Sequence, residues 1–143
     1  MGPIVVWAHV AATLYLAGLV WCIQVVHYPL MDRVGAERFA EFHRRHSTRI
    51  SLIVIPPMLV EAATALLLVV SGPTGVPQAL PALGLGLIAL VWVSTFAVQV
   101  PLHGRLARGF DPKAHRRLVN SNWLRTAAWS LRAALAIAIA IAC

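Results

Sequence analysis

The sequence predicts an all-α fold, a single four-transmembrane-helix bundle over residues 1–143. Three observations predict it. Apolar residues make up 59% of the chain and charged residues only 12%, more apolar side chain than a soluble core of this length hides. Four stretches reach the roughly 20 residues that cross a bilayer core as a helix. All but two of the basic residues fall into two blocks, around the first and third of the loops that join those stretches. The same composition excludes a disordered chain and a collagen. Two cysteines are too few for a disulfide framework or a four-thiolate zinc site. The mean hydropathy is +0.77.

The spans are placed at about 4–27, 50–70, 79–102 and 123–142. The first stops before Pro29. No cationic segment precedes it, so it is read as a span and not as a signal peptide. The second contains Pro56 and Pro57, where a kink is expected, with the freed carbonyls satisfied by neighbouring helices. The linker Ser71-Gly-Pro-Thr-Gly-Val-Pro77 has turn chemistry and no charge. None of the four stretches alternates with the period of a strand. Before the second span, Phe39, Phe42, His43 and His46 recur at helical spacing. An amphipathic helix is expected over about 35–47, continuing into that span. Trp7, Tyr28 and Trp123 suit interfacial belts.

The net charge is +7, which alone would suit nucleic acid. Its placement argues otherwise. Arg33, Arg38, Arg44, Arg45 and Arg49 lie around the first inter-span loop; Arg105, Arg108, Lys113, Arg116 and Arg117 lie in the third. Arg125 and Arg132 fall inside span four and complete the 12 lysines and arginines. The segments before span one, between spans two and three, and after span four carry none. The positive-inside rule therefore puts loops 28–49 and 103–122 in the cytoplasm and both termini outside, in a cytoplasmic (inner) membrane. The basic blocks are read as topology signals that also attract anionic headgroups; no nucleic-acid partner is expected.

The two hairpins resemble each other. Gln24-Val-Val-His-Tyr-Pro-Leu30 ends span one and Gln99-Val-Pro-Leu-His103 ends span three; Phe42-His-Arg-Arg45 precedes span two and Ala114-His-Arg-Arg117 precedes span four. A tandem helical-hairpin repeat is a known membrane device.

This topology brings His27, His46, His103 and Asn122 to one depth at the cytoplasmic rim. His43 and His115 lie slightly further out, and Gln24 and Gln99 about one turn deeper. Imidazole is the commonest metal ligand, and bundle sites are built from facing helices. His43 and His46, three apart, share a helix face. His27, His43, His46 and His103 are thus the candidate ligands of a transition metal or haem. No His-Glu-x-x-His or Glu-x-x-His pattern is present, so zincin and ferritin-like di-iron signatures are missing. Rim histidines also serve as helix caps and headgroup contacts, and the cofactor set, none included, stays open.

Deeper lie two expensive groups. Glu61 is midway along span two and Arg132 midway along span four. An ionised side chain there costs roughly 2.5–3.5 kcal/mol on insertion scales, which pairing largely removes. A structural Glu61–Arg132 ion pair is expected. On span four, Asn122, Arg125, Trp129 and Arg132 share one face, and Ala133, Ala136 and Ala140 allow close packing nearby. The stripe runs from the histidine-rich rim to the ion pair and lines a polar-mouthed pocket. His27, His103, Asn122 and Arg125 are the candidate catalytic residues. Gln24, Gln99, Trp123 and Trp129 are the candidate substrate contacts. Arg125 would hold an oxyanion and Trp129 an aromatic ring.

Val100-Pro-Leu-His-Gly-Arg-Leu-Ala107, followed by Asn122-Trp-Leu-Arg-Thr-Ala-Ala128, resembles the anthrone-oxygenase-like group of small four-helix membrane proteins. In that group a Val-Pro-Leu-Asn…Leu-Ala stretch ends the third helix and a Trp-Asn…Arg-Thr stretch opens the fourth. The first hairpin agrees only in outline, through Ala17-Gly18, a closing proline and a short amphipathic segment. The resemblance implies oxidation of anthrones to anthraquinones with dioxygen. It assigns the group's polar residues to His103, Asn122 and Arg125. His103 stands where that group usually has Asn, and His27, His43 and His46 are additional.

The expected function is an integral membrane oxidoreductase, oxygenase-like, acting on a lipophilic aromatic or quinone-like substrate that enters from the bilayer. A histidine, His103 or His27, would act as base. Three alternatives share the same residues: a haem- or metal-binding membrane protein, a small proton-coupled transporter using Glu61, and a structural or assembly subunit. Four short spans bury little surface, which favours a homo-oligomer.

Overall fold

The computed structural model describes residues 2–143. They form four long helices: α1 (Pro3–Arg33), α2 (Ala36–Ser71), α3 (Ala79–Leu106) and α4 (Pro112–Ala142), each long and apolar enough to cross a membrane. The helices form a ring in chain order. Helix α1 packs against α2 and α4, and α3 packs against α4 and, more loosely, α2. The middle of the bundle is filled by Leu16, Val20, Met58, Val91 and Trp129. Tyr28, Met31, Phe39, Leu102 and Leu118 fill the end that carries the basic loops. Val6, Leu68, Val76 and Ile139 close the other end.

The pattern is inverted relative to a soluble bundle. Ile4, Leu52, Val70, Val93 and Ile141 stand exposed on the outside. His9, Gln24, Glu61, Gln99, Asn122, Arg125 and Arg132 are buried inside. An apolar belt of this extent in water is an association surface; in lipid it is the ordinary exterior, and polar groups turn inward. The chain therefore has the architecture of an integral membrane protein.

The helices are longer than their apolar stretches. The amphipathic segment and the second span are one helix, Ala36–Ser71, which runs unbroken through Pro56 and Pro57. Helix α4 starts at Pro112, well before the apolar stretch at 123. Helix α1 does not stop before Pro29. It absorbs the proline by a π turn at Ile23–His27, in which the Tyr28 N–H bonds the Ile23 carbonyl. Helix α3 does the same before Pro101, with a π turn at Thr95–Gln99 and the Val100 N–H bonded to Thr95. Proline cannot donate and its ring crowds the carbonyl four residues back. One extra residue in the preceding turn relieves that crowding, and such π bulges recur at functional sites.

The α2–α3 turn uses glycine where backbone demands it. Gly72 ends α2 at φ 54° and donates to the Leu68 carbonyl, a left-handed helix stop. Gly75 sits at φ 83°, and a Cβ there would lie 2.8 Å from the Ala142 carbonyl oxygen.

Asp111 caps α4. Its carboxylate accepts from the backbone N–H groups of Lys113 (2.9 Å) and Ala114 (3.1 Å) and pairs with Arg105 at 3.1 Å. The bond from Ala114, with those from Lys113 and Arg105, holds this exposed carboxyl below its usual range. A depressed carboxyl stabilises the fold above its unfolded pKa of about 3.9 and loses that contribution as pH falls through the lower folded value. Asp111→Ala should therefore lower the thermal midpoint at neutral pH, and the gap to the parent should close on acidification below the carboxylate range, as followed by circular dichroism in detergent.

Candidate functional site

The deepest polar contact is the Glu61–Arg132 pair. Arg132 Nε donates to Glu61 Oε1 at 2.9 Å, with both side chains almost fully buried. Trp129 Nε1 donates to the other carboxylate oxygen at 3.2 Å, and Arg132 Nη1 donates to the Gly84 carbonyl. The pair thus ties α2 to α4 and α4 to α3. Beside it, His9 Nδ1 lies 2.9 Å from Thr64 Oγ1. The Thr64 hydroxyl hydrogen goes to the Val60 carbonyl, so His9 is the donor. The space next to Arg132 and His9 is about 10 Å³, about one water.

Toward the basic loops the network continues along α4. The Arg125 guanidinium carbon lies 5.1 Å from the Trp129 ring centroid, within cation–π range. Arg125 Nη1 donates to Asn122 Oδ1 at 3.0 Å, and Asn122 Nδ2 donates to Gln24 Oε1 at 2.8 Å. Gln24 in turn donates to the Val119 carbonyl. The α4 stripe expected from spacing is therefore one connected polar column. Arg125 is 9% exposed. Its Nε has no hydrogen-bond partner among the described residues. No carboxylate pairs with it there either, since Glu61 is held by Arg132 and the other ion pairs lie on Arg33, Arg45 and Arg105.

Arg125 lies at the inner end of a cavity of about 530 Å³ in the loose seam between α2 and α3. Ile50, Val54, Ile55, Met58 and Phe96 form much of its apolar wall; Tyr28, Gln99 and His103 join Arg125 at its polar end. Gln99 donates to Ser121 Oγ at 3.0 Å, leaving its Oε1 unpartnered among the described residues, as are the cavity-lining Ser47 Oγ and Trp92 Nε1. The Tyr28 hydroxyl lies 3.1 Å from His103 Nε2, and His103 Nδ1 lies 3.1 Å from His43 Nε2. Two opposite sets of tautomers satisfy this chain: Tyr28 donates to His103 and His103 Nδ1 to His43, or His43 Nε2 donates to His103 and His103 Nε2 to Tyr28. Either way both nitrogens of His103 are engaged, and His43 Nδ1 has no partner among the described residues.

The sequence-predicted residues separate into three places. His103, Arg125 and Gln99 line the cavity. Asn122, Gln24 and Trp129 lie behind it and fix Arg125. His27 and Trp123 lie elsewhere. His27 stacks on His46 at 4.1 Å between ring centroids and lines a groove on the other side of the histidines. Trp123 is 48% exposed and meets Trp21 edge-on at 5.7 Å on the outer surface. Tyr28, expected in an interfacial belt, is buried instead, because the π turn rotates it inward. His43, His46 and His103 approach one another and His27. Yet among the described residues no three His, Cys, Asp or Glu side chains are arranged to hold a metal ion. Two of the imidazoles spend their nitrogens on each other, and two stack face to face. His115 donates to the Tyr28 carbonyl at 2.8 Å and so closes the end of α1.

Comparison with known protein families, curated proteins and solved structures finds no match. The resemblance to the anthrone-oxygenase-like group rests on the residues quoted above.

Breaking the deep pair leaves an uncompensated charge inside the bundle. Glu61→Leu or Arg132→Leu alone should cost about 3–5 kcal/mol, and Glu61→Leu combined with Arg132→Met should recover most of it. Unfolding in a mixed-detergent titration checks this; equal loss in the double and single variants would contradict a paired staple.

Proposed function

We propose that this protein is an integral membrane oxidoreductase of the oxygenase type, acting on a lipophilic aromatic molecule held in the α2–α3 cavity. The observation that carries the reading is Arg125, a buried guanidinium without a carboxylate partner among the described residues, at the end of an apolar cavity. A lone buried cation is expensive. A ligand that presents a negative oxygen there removes the cost. A molecule arriving through lipid crosses more easily neutral and is best ionised in place. Tyr28 and His103, hydrogen-bonded to each other at the same polar end, supply an acceptor for its proton.

On this reading, Tyr28 takes the proton as it passes its own to His103, which is the general base acting through it, and Arg125 holds the enolate oxygen formed when an activated ring methylene loses its proton. Dioxygen adds at the carbanionic carbon. Loss of water then leaves a carbonyl, so one oxygen atom ends in the product and the other, with both methylene hydrogens, in water. Gln99 orients the substrate. Asn122, Gln24 and Trp129 are positioning residues for Arg125. Glu61 and Arg132 serve as a staple, which the small space beside them supports over transport. Loops 28–49 and 103–122 are taken as cytoplasmic, following arginine and lysine placement. The hairpins are taken as a tandem repeat: one common separation relates Pro29 to Pro101, His43 to His115, and the π turn beginning at Ile23 to that beginning at Thr95.

The test uses protein in lipid nanodiscs with anthrone, the substrate class that the resemblance implies, and measures oxygen uptake and quinone absorbance above empty nanodiscs. The parent should turn over, and Arg125→Gln should lower kcat by about 100-fold or more. No uptake above the empty-disc background, or equal rates in parent and Arg125→Gln, would contradict the assignment.

A further inference from the structure

We propose a second binding site, for the phosphate of an anionic phospholipid, in the groove between the ends of α1 and α2. The groove encloses about 500 Å³ and is separate from the α2–α3 cavity. Its floor is a stack of rings. His27 lies over His46 at 4.1 Å with planes 29° apart, and over Phe42 at 6.4 Å with planes 27° apart. Its wall carries Arg38, Arg45 and Arg49 from α2. Glu41 neutralises Arg45 at 2.7 Å; among the described residues Arg38 and Arg49 have no carboxylate partner. The His27 ring, its Nε2 shielded, serves as part of the floor. The two free guanidinium forks that line this groove supply the donors for the oxygens of a phosphate group.

The continuation of the groove argues for a lipid over a soluble phosphate. Just past Arg49, α2 exposes Leu52 and Ile53; just before and after His27, α1 exposes Val26 and Leu30. A phosphate held on Arg38 and Arg49 would lay its acyl chains along these apolar side chains, with no polar surface to cross. Diffuse attraction between basic loops and an anionic leaflet needs none of this geometry. Helix α4 provides the contrast. Arg116 and Arg117 occupy a comparable stretch, but their groove, lined by Lys113, Asn120 and Ser121, has no aromatic floor.

The test is native mass spectrometry of the full chain, delipidated in neutral detergent, with dioleoylphosphatidylglycerol or dioleoylphosphatidylcholine added at equal concentration. The parent should retain the glycerol lipid and not the choline lipid. Arg38→Gln with Arg49→Gln should weaken retention at least about tenfold, while Arg116→Gln with Arg117→Gln, which removes the same charge, should leave it unchanged. Arg38→Lys with Arg49→Lys keeps the charge without the forked geometry and should fall between parent and the glutamine pair. Equal loss in both glutamine pairs would reduce the site to bulk surface charge. Equal retention of both lipids would reduce it to chain packing. Displacement of the lipid by inorganic phosphate at the same concentration would assign the groove to a soluble anion. Each of these three results overturns the proposal. The anthrone assay is independent of all of them.

Discussion

A bundle with an apolar exterior leaves its inner polar groups no partners except one another and the backbone, and the Glu61–Arg132 pair is where that constraint is tightest. The carboxylate takes both Arg132 Nε and Trp129 Nε1, and the guanidinium also reaches the Gly84 carbonyl. Three helices are thereby held at one depth. Each buried polar group placed further along α4 then meets its partner because that register is fixed. Arg125 meets Asn122 and Asn122 meets Gln24 in the same way, one turn after another. A slip of one residue on α4 would rotate the stripe by about 100° and put two guanidinium groups against lipid.

The same constraint singles out Arg125. Among the described residues its neighbours supply one carbonyl oxygen, one aromatic face and the Tyr28 hydroxyl, which solvate a cation without neutralising it. The seam beside it is the most loosely packed of the four. The Glu61 neighbourhood, with an opposite charge in contact and almost no free volume, has the character of a structural joint. The Arg125 neighbourhood has unmet charge, unmet hydrogen bonds and room for a small aromatic molecule.

What the sequence revealed follows from where its helices are regular. Glu61 and Arg132 could be matched from sequence because both lie midway along spans that begin on the same side. The stripe Asn122, Arg125, Trp129 and Arg132 was legible because α4 is an uninterrupted α-helix from Pro112. Tyr28 and His27 were not. The π turn at Ile23–His27 inserts an extra residue, so a helical wheel drawn through it misassigns every side chain that follows by about 100°. Tyr28, read as a belt residue, turns inward onto His103; His27, read as a cavity residue, stacks on His46 in the outer groove. The signal for this lay in Pro29 and Pro101, each inside a helix that the hydrophobic pattern extends. Trp123 adjoins a buried stripe in sequence but faces outward, since Asn122 already occupies the inner position. The cavity itself had no signature, because the looseness of one seam depends on how two helices pack and not on either alone.

On the proposed function, the α2–α3 cavity admits a lipophilic ligand from the bilayer and holds it on Arg125. Photo-cross-linking tests it most directly, using a lipophilic phenol that carries a diazirine, protein in lipid nanodiscs, and peptide mapping of the label. The account predicts labels concentrated on residues 50–58 of α2 and 92–100 of α3, suppressed by an excess of unlabelled phenol and largely lost in Arg125→Gln. Labels spread evenly over the outer faces of all four helices, and unchanged by Arg125→Gln, would contradict it.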